Sequence, residues 1–297
     1  MTSAAPTSTF LDSFYGLDAH ILRKNDLGSL ADLYRFRHFA ACQQDDLNPV
    51  SKLLLNGWSA EYALRITPIV NDEQYLQSSL HWTFPQAYYS IHFTARAFLA
   101  VQGLWLSNEE LIGKRLANYV VNGFYPESLG FYAYGFGDTY RVCRLSDSAD
   151  EKQVADLLHS TRTRQFKRAK EALQANPKTA LRRPATGEIL TRFSANQYKE
   201  LSRHIGYTTY YDVMKRLRIS SVNRDLERTF GATDEVDVRS FHASLVRIVS
   251  HINSVHEAYI CKSVGYLNYC QIVNNLPFYL RENFVGERLH SNKINPM

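Results

Sequence analysis

The feature that most constrains the fold is one long apolar stretch, from Ser79 to Gln102. Apolar side chains recur in it at helical spacing and cover more than one side of the predicted helix. They are Tyr88, Ile91, Phe98 and Val101, flanked by Tyr89, Phe93 and Ala97, with Ala87, Ala95 and Ala100 as small neighbours. A helix that is apolar over so much of its surface is surrounded by other helices. The stretch therefore predicts the central helix of a bundle.

The rest of the chain also favours helices. Glycine and proline are scarce, 14 and 9 of 297 residues, which disfavours a loop-rich or all-β protein. Apolar residues at helical spacing predict a second long helix from Val236 to about Ile272. We therefore predict a mainly α fold, a helical bundle with long central helices.

One segment departs from this pattern. Residues 124–145 combine recurring glycines with aromatic side chains. This composition is typical of a short aromatic hairpin or of a long aromatic loop, and the sequence is compatible with both. In either form we expect a small insertion in the bundle.

A polar segment with two prolines, residues 177–188, predicts an exposed linker. It separates an N-terminal helical region, residues 1–176, from a C-terminal helical region, residues 189–297. The N-terminal region includes the central helix and the aromatic insertion. The alternative is that both regions form one composite domain.

The cysteines and the first residues indicate the compartment. The four cysteines lack C-x-x-C spacing, which fits a reducing environment better than a disulfide framework or a zinc site. The first ten residues lack the pattern of a signal peptide, and no uncharged run reaches the length of a membrane span. We therefore expect a cytoplasmic protein without membrane association.

Motifs for common cofactors and metals are missing from the sequence. We find no P-loop, no G-x-G-x-x-G, no H-E-x-x-H and no G-x-S-x-G. We therefore expect no cofactor and no metal site.

The segment QAYYSIHFTARAFLAVQG, from Gln86 to Gly103, resembles the central helix of HEPN domains. The matching residues are Ala87, Tyr88, Tyr89, Ala95, Arg96, Ala97, Leu99 and Gly103. A second segment, from Leu217 to Phe230, is similar to one that follows later in that family. The resemblance implies a dimeric helical bundle of prokaryotic defence or toxin–antitoxin type, which binds RNA or a protein partner.

Active members of the family share an R-x4-6-H motif, in which the histidine acts on the 2′-hydroxyl of RNA and the arginine holds phosphate. This sequence departs from that motif, since no arginine and histidine have this spacing. The nearest pairs are Arg247 with His251, and Arg218 with Asn223 in place of the histidine.

Arg247 and His251 are the candidate catalytic residues. At positions i and i+4 they share one face of a helix. A histidine near neutral pH can move a proton, and an arginine beside it can pair with a phosphate. If the protein is an enzyme, we expect a metal-independent endoribonuclease. The alternative is a partly exposed histidine on an ordinary amphipathic helix.

A basic helix over residues 151–175 is the candidate nucleic-acid surface. From Lys152 to Arg183 the chain has nine lysines and arginines and two acids. Such a stripe neutralises phosphates and gives salt-sensitive binding, although a solvated surface helix can have the same composition. The predicted nucleic-acid-binding residues are Arg162, Arg164, Lys167, Arg168, Arg218 and Asn223.

Two functions are compatible with these features. The first is a HEPN-like protein that binds RNA or a protein partner and that cleaves RNA if it is active. The second is a non-catalytic helical subunit or adaptor that holds a partner protein or nucleic acid. The net charge of +5 permits a nucleic-acid ligand without requiring one.

Overall fold

The computed structural model describes residues 8–44, 46–70, 72–146, 148–176, 178–182, 187–190, 192–222 and 237–290. These residues are mainly helical, as the sequence predicts. The first six helices are α1 (Ser8–Lys24), α2 (Tyr34–Arg37), α3 (Asn48–Val70), α4 (Glu73–Ala100), α5 (Glu109–Val121) and α6 (Ala149–Ala175). The others are α7 (Ala195–Ile205), α8 (Tyr210–Val222), α9 (Val238–Val264), α10 (Tyr266–Asn274), α11 (Phe278–Arg281) and α12 (Phe284–His290).

Helix α4 is the central helix of the bundle. It packs against α3, α8 and α9, while α1 packs against α6 and α9. Of its predicted apolar residues, Tyr88, Ile91 and Phe98 are fully enclosed. Among the flanking residues, Ala97 is buried and Phe93 half-buried, whereas Tyr89 is 38% exposed. The helix begins at Glu73, earlier than the apolar stretch, because the Asp72 side chain accepts a hydrogen bond from the Tyr75 amide at 2.7 Å and caps it.

The second long helix is shorter than the periodicity predicts. Helix α9 ends at Val264, and α10 begins at Tyr266. Gly265 separates them with a φ of 84°, a left-handed conformation that glycine adopts without steric cost. The apolar spacing continues across this break, so the periodicity alone does not reveal it.

The aromatic insertion is a hairpin. Strands β1 (Tyr132–Tyr134) and β2 (Arg141–Cys143) are antiparallel, with Tyr132 opposite Cys143. Gly135 turns the chain after β1 at a φ of 77°, and a Cβ there would lie 2.0 Å from the Thr139 carbonyl oxygen. Ala133 also exchanges two backbone hydrogen bonds of 2.9 Å with Thr208, which fixes the hairpin against the start of α8.

Both predicted regions contribute to one hydrophobic core. The cluster of buried apolar side chains extends from Phe14 in α1 to Leu289 in α12. Helix α4 contacts α8 and α9 across the predicted linker. The division into two regions and the alternative of one composite domain stay predictions.

No helix within the described ranges combines the length and the apolar composition that crossing a membrane requires.

Candidate functional site

The basic helix α6 presents two exposed cations, Arg164 and Lys167, with Arg168 half-buried beside them. Ser148 precedes the helix at its N-cap position, and Glu151 in the first turn is buried against α1. Among the described residues, neither Arg164 nor Lys167 has a carboxylate within 4 Å. Their charge is therefore available to an external anion.

A cleft of about 890 Å³ lies between α5, α6, α7 and α8. This volume is within the range of small-ligand sites. Its lining is mostly apolar and includes the aromatic rings of Phe193 and Tyr207. Arg164 and Arg168 from α6 and Arg216 from α8 line the cleft and are here named the arginine cluster.

Arg216 is the buried member of the arginine cluster. It is 7% exposed and donates hydrogen bonds to the hydroxyls of Ser160 at 2.6 Å and Thr161 at 3.1 Å. Burial, and then the positive charges of Arg164 and Arg168, lower the pKa of Arg216 to about 9. The Arg216 guanidinium thus lies within electrostatic reach of two other guanidinium groups.

Arg216 was not among the residues predicted from sequence. It belongs to the basic run Lys215-Arg216-Leu217-Arg218. Three cations within four residues cannot all lie on the apolar face of α8. The run could therefore have been recognised from the sequence as a source of further binding residues. Which of them faces the cleft depends on the packing of α8 against α6.

Arg162 does not belong to the exposed stripe, contrary to the role predicted for it. It is 2% exposed, and its guanidinium donates to the carbonyls of Gly135 and Gly206 at 2.6 and 2.9 Å. It also donates to the hydroxyls of Thr208 at 2.9 Å and Ser202 at 3.0 Å. Burial lowers its pKa to about 10. Arg162 therefore connects α6 to the hairpin and to the segment between α7 and α8.

Arg218 lies on the α5 side of α8. Its guanidinium donates to Glu109 at 2.8 Å and lies over the Tyr88 ring at 4.8 Å from the centroid. This contact connects α8 to the central helix and to α5. Asn223, predicted as its neighbour in a nucleic-acid site, lies outside the described residues.

The two candidate catalytic residues lie on α9 but contact different elements. Arg247 forms a bidentate ion pair with Asp18 of α1, with Nε 3.0 Å from Oδ1, and also donates to Ser244. The Asp18 hydrogen bond raises its pKa. His251 is 2.8 Å from the Ser128 hydroxyl through Nε2. Each residue therefore connects α9 to a different segment, Arg247 to α1 through Asp18 and His251 to the segment that contains Ser128.

A polar cluster lies under one end of the cleft. The Tyr211 hydroxyl is 2.8 Å from His92 Nδ1 and 3.1 Å from the Tyr88 hydroxyl. Burial lowers the pKa of His92 to about 4, so its ring is neutral at physiological pH. Tyr211 thus connects the cleft lining to the central helix through a neutral hydrogen-bonded cluster.

Metal ligands are not grouped within the described ranges. No set of three or more histidine, cysteine, aspartate or glutamate side chains is arranged there to hold an ion.

Comparison with protein-family models, curated proteins and solved structures finds no significant match to this chain. The resemblance to HEPN domains therefore stays a prediction from the residues of α4.

Proposed function

We propose that this protein binds single-stranded RNA through the arginine cluster and the exposed cations of α6. The observation that carries this proposal is the convergence of Arg164, Arg168 and Arg216 on one cleft. Guanidinium groups pair with phosphate oxygens through two parallel hydrogen bonds, and they stay charged under all physiological conditions.

The shape of the site favours a single strand. The rings of Phe193 and Tyr207 line the cleft, and unpaired bases stack on such rings. A cleft of about 890 Å³ is too small to enclose a duplex. The resemblance of α4 to HEPN domains favours RNA over DNA and adds a role in prokaryotic defence or toxin–antitoxin control.

The two candidate catalytic residues lie apart from the proposed binding site. Arg247 is held by Asp18, and His251 contacts Ser128. Neither residue lines the cleft. The function supported best is therefore that of a non-catalytic binding protein, for which a protein partner and dimerisation stay predictions.

Reversing two charges of the cluster tests the proposal. We expect Arg164→Glu with Arg168→Glu to weaken binding of an unstructured RNA at least about tenfold, because two phosphate contacts are lost. We expect the magnitude of the slope of log K against log salt to decrease by about 1.4, which is about 0.7 for each phosphate contact on a single strand. Fluorescence anisotropy at four salt concentrations measures both quantities.

A matched control changes the net charge equally elsewhere. Lys152 and Arg239 are exposed and do not line the cleft. Lys152→Glu with Arg239→Glu should retain most of the affinity, and circular dichroism should show that both double variants are folded. Equal loss of binding in the two variants would mean that the cleft is not the RNA site.

A further inference from the structure

The hairpin beside the cleft has a buried face and an outer face. Side chains alternate along strand β1, so Ala133 points into the bundle while Tyr132 and Tyr134 point away from it. Ala133 is fully buried and its backbone pairs with Thr208, whereas the Tyr134 side chain is 41% exposed. The outer face of the hairpin is therefore accessible to a ligand.

Three tyrosine rings meet on this outer face and are here named the tyrosine triad (Tyr132, Tyr134 and Tyr207). The Tyr207 ring is 36% exposed and is nearly perpendicular to the two hairpin rings. Its centroid lies 5.4 Å from that of Tyr132 and 6.2 Å from that of Tyr134. Tyr207 also lines the cleft, whereas Tyr132 and Tyr134 do not. The tyrosine triad therefore continues the aromatic surface of the cleft across the hairpin.

An arginine with a free hydrogen-bonding edge lies beside the tyrosine triad. Arg141 of β2 is exposed and lies directly opposite Tyr134, and residues paired in this way project from the same face of a hairpin. Its Nη1 donates to the carbonyls of Asp138 and Tyr140 at 3.0 and 2.7 Å. Among the described residues, its Nε and Nη2 have no hydrogen-bond partner, and no carboxylate, that of Asp138 included, lies within 4 Å of its guanidinium. Nε and Nη2 form the edge with which a guanidinium binds two phosphate oxygens.

A nucleic-acid strand fits this combination of groups. Unpaired bases stack on aromatic rings, and phosphates pair with guanidinium groups. A base and a phosphate are neighbours in every nucleotide, as Tyr134 and Arg141 are on the hairpin. A cationic ligand can also bind to aromatic rings, but the charge of Arg141 would repel it.

We infer that the outer face of the hairpin is part of the RNA site, where Tyr134 stacks a base and Arg141 binds an adjacent phosphate. The strand reaches this face from the cleft past Tyr207, which belongs to both surfaces. This inference rests on the proposed RNA binding and extends its site from the cleft to the hairpin.

Two single substitutions separate the stacking of a base from the binding of a phosphate. The probe is an unstructured RNA of about ten nucleotides, a length that single-strand sites can cover. Tyr134→Ala should weaken binding at least about fivefold and leave the slope of log K against log salt unchanged, because stacking releases no counterions. Arg141→Gln should decrease the magnitude of that slope by about 0.7, the value for one phosphate contact on a single strand. Fluorescence anisotropy over a series of salt concentrations measures both quantities.

Matched controls use a conservative change and a distant pair. Tyr134→Phe keeps the ring and should keep the affinity. Tyr34 and Arg37 of α2 are exposed and do not line the cleft, so Tyr34→Ala and Arg37→Gln should leave affinity and slope unchanged. Circular dichroism shows whether Tyr134→Ala is folded. If it is not, the slope measured for Arg141→Gln decides the inference, because that side chain is exposed and its removal leaves no buried gap.

The failures of the two proposals are distinguishable. Suppose that Tyr134→Ala and Arg141→Gln bind the strand like the unmodified protein, while Arg164→Glu with Arg168→Glu weakens binding. That result would overturn the inference and support the RNA site of the cleft. Absence of RNA binding by the unmodified protein would instead overturn the proposed function, and the inference with it.

Discussion

At the scale of single residues, the buried carboxylate of Glu151 is surrounded by several hydrogen-bonding and positively charged partners. Glu151 in the first turn of α6 is 3% exposed, and its carboxylate accepts a hydrogen bond of 2.7 Å from the Arg23 guanidinium. Burial alone would raise the pKa of its carboxyl. Hydrogen bonds from Ser146 and the positive charges of Lys24 and His20 outweigh burial and lower the pKa to about 2. The carboxylate therefore stabilises the contact between α1 and α6 as an anion.

The stability of the protein should depend on pH through this residue. In the folded protein, the pKa of Glu151 lies below its ordinary value of 4.5. The Glu151 carboxylate therefore contributes fully to the free energy of unfolding above about pH 4.5, and this contribution is lost as the pH falls towards 2. We expect Glu151→Gln to lower the free energy of unfolding at pH 7 by on the order of 2–3 kcal/mol. The difference from the unmodified protein should shrink at pH 3, as measured by urea denaturation.

Glu127→Gln is the matched control. The Glu127 carboxylate also pairs with Lys24, at 2.8 Å, but its side chain is 77% exposed. Removing an exposed pair should change stability by less than about 1 kcal/mol. If Glu151→Gln lowered the free energy of unfolding by the same amount at pH 7 and at pH 3, the charge of Glu151 would not be the source of its stabilising effect.

At the scale of elements, the close contact of α3 with α4 sets the geometry of the bundle. Gly57 of α3 faces Ser90 and Thr94 of α4, and a Cβ at this position would lie 2.9 Å from Thr94 Cγ2. Asn253 of α9 meets the same junction, where it accepts from Thr94 at 2.6 Å and donates to Ser90 at 2.7 Å. The absence of a side chain at Gly57 thus lets three helices share one polar junction.

We therefore expect Gly57→Ala to destabilise the protein by about 1–3 kcal/mol, because the added methyl group overpacks the α3–α4 contact. Thermal unfolding followed by circular dichroism measures the effect. In α5, a methyl group at Gly113 would lie 3.4 Å from the Tyr211 ring, so Gly113→Ala should cost less and gain helix propensity. Equal destabilisation by both substitutions would contradict a specific close contact at Gly57.

At the scale of the whole molecule, the C-terminal helix α12 is joined to the core by ionic contacts. Arg288 pairs with two buried carboxylates, Glu61 of α3 and Glu257 of α9. Burial alone would raise the pKa of Glu61, but the positive charges of Arg288 and Arg65 lower it. Trp58 also donates to Glu257 at 3.0 Å. This network connects α12 to α3 and α9 within one core.

Breaking the network should have a large effect on the whole molecule. We expect Arg288→Met to reduce the free energy of unfolding by about 3–5 kcal/mol, because two carboxylates lose their buried partner. Urea denaturation measures it. Arg281→Met removes a partly exposed pair with Glu282 and should have little effect. If the two variants were equally stable, Arg288 would not join α12 to the core.

The hairpin and the position of the arginine cluster show where prediction from sequence ends. The glycines and aromatic side chains of residues 124–145 are compatible with a hairpin or a loop, and the pairing of Ala133 with the distant Thr208 helps to hold the hairpin. Arg162 and Arg164 are two residues apart on one helix and have similar chemistry. The first is buried under the hairpin and the second is exposed at the cleft.

The sequence by itself determined the mainly α class and the burial of α4, because the spacing of apolar residues is a local property that repeats with each helical turn. Only the tertiary structure decided which cations lie together. The partner of a charged side chain depends on which distant helix packs against it, and that information is spread over the whole chain. Arg216 therefore joins Arg164 at the cleft, while Arg247 and His251 contact separate segments.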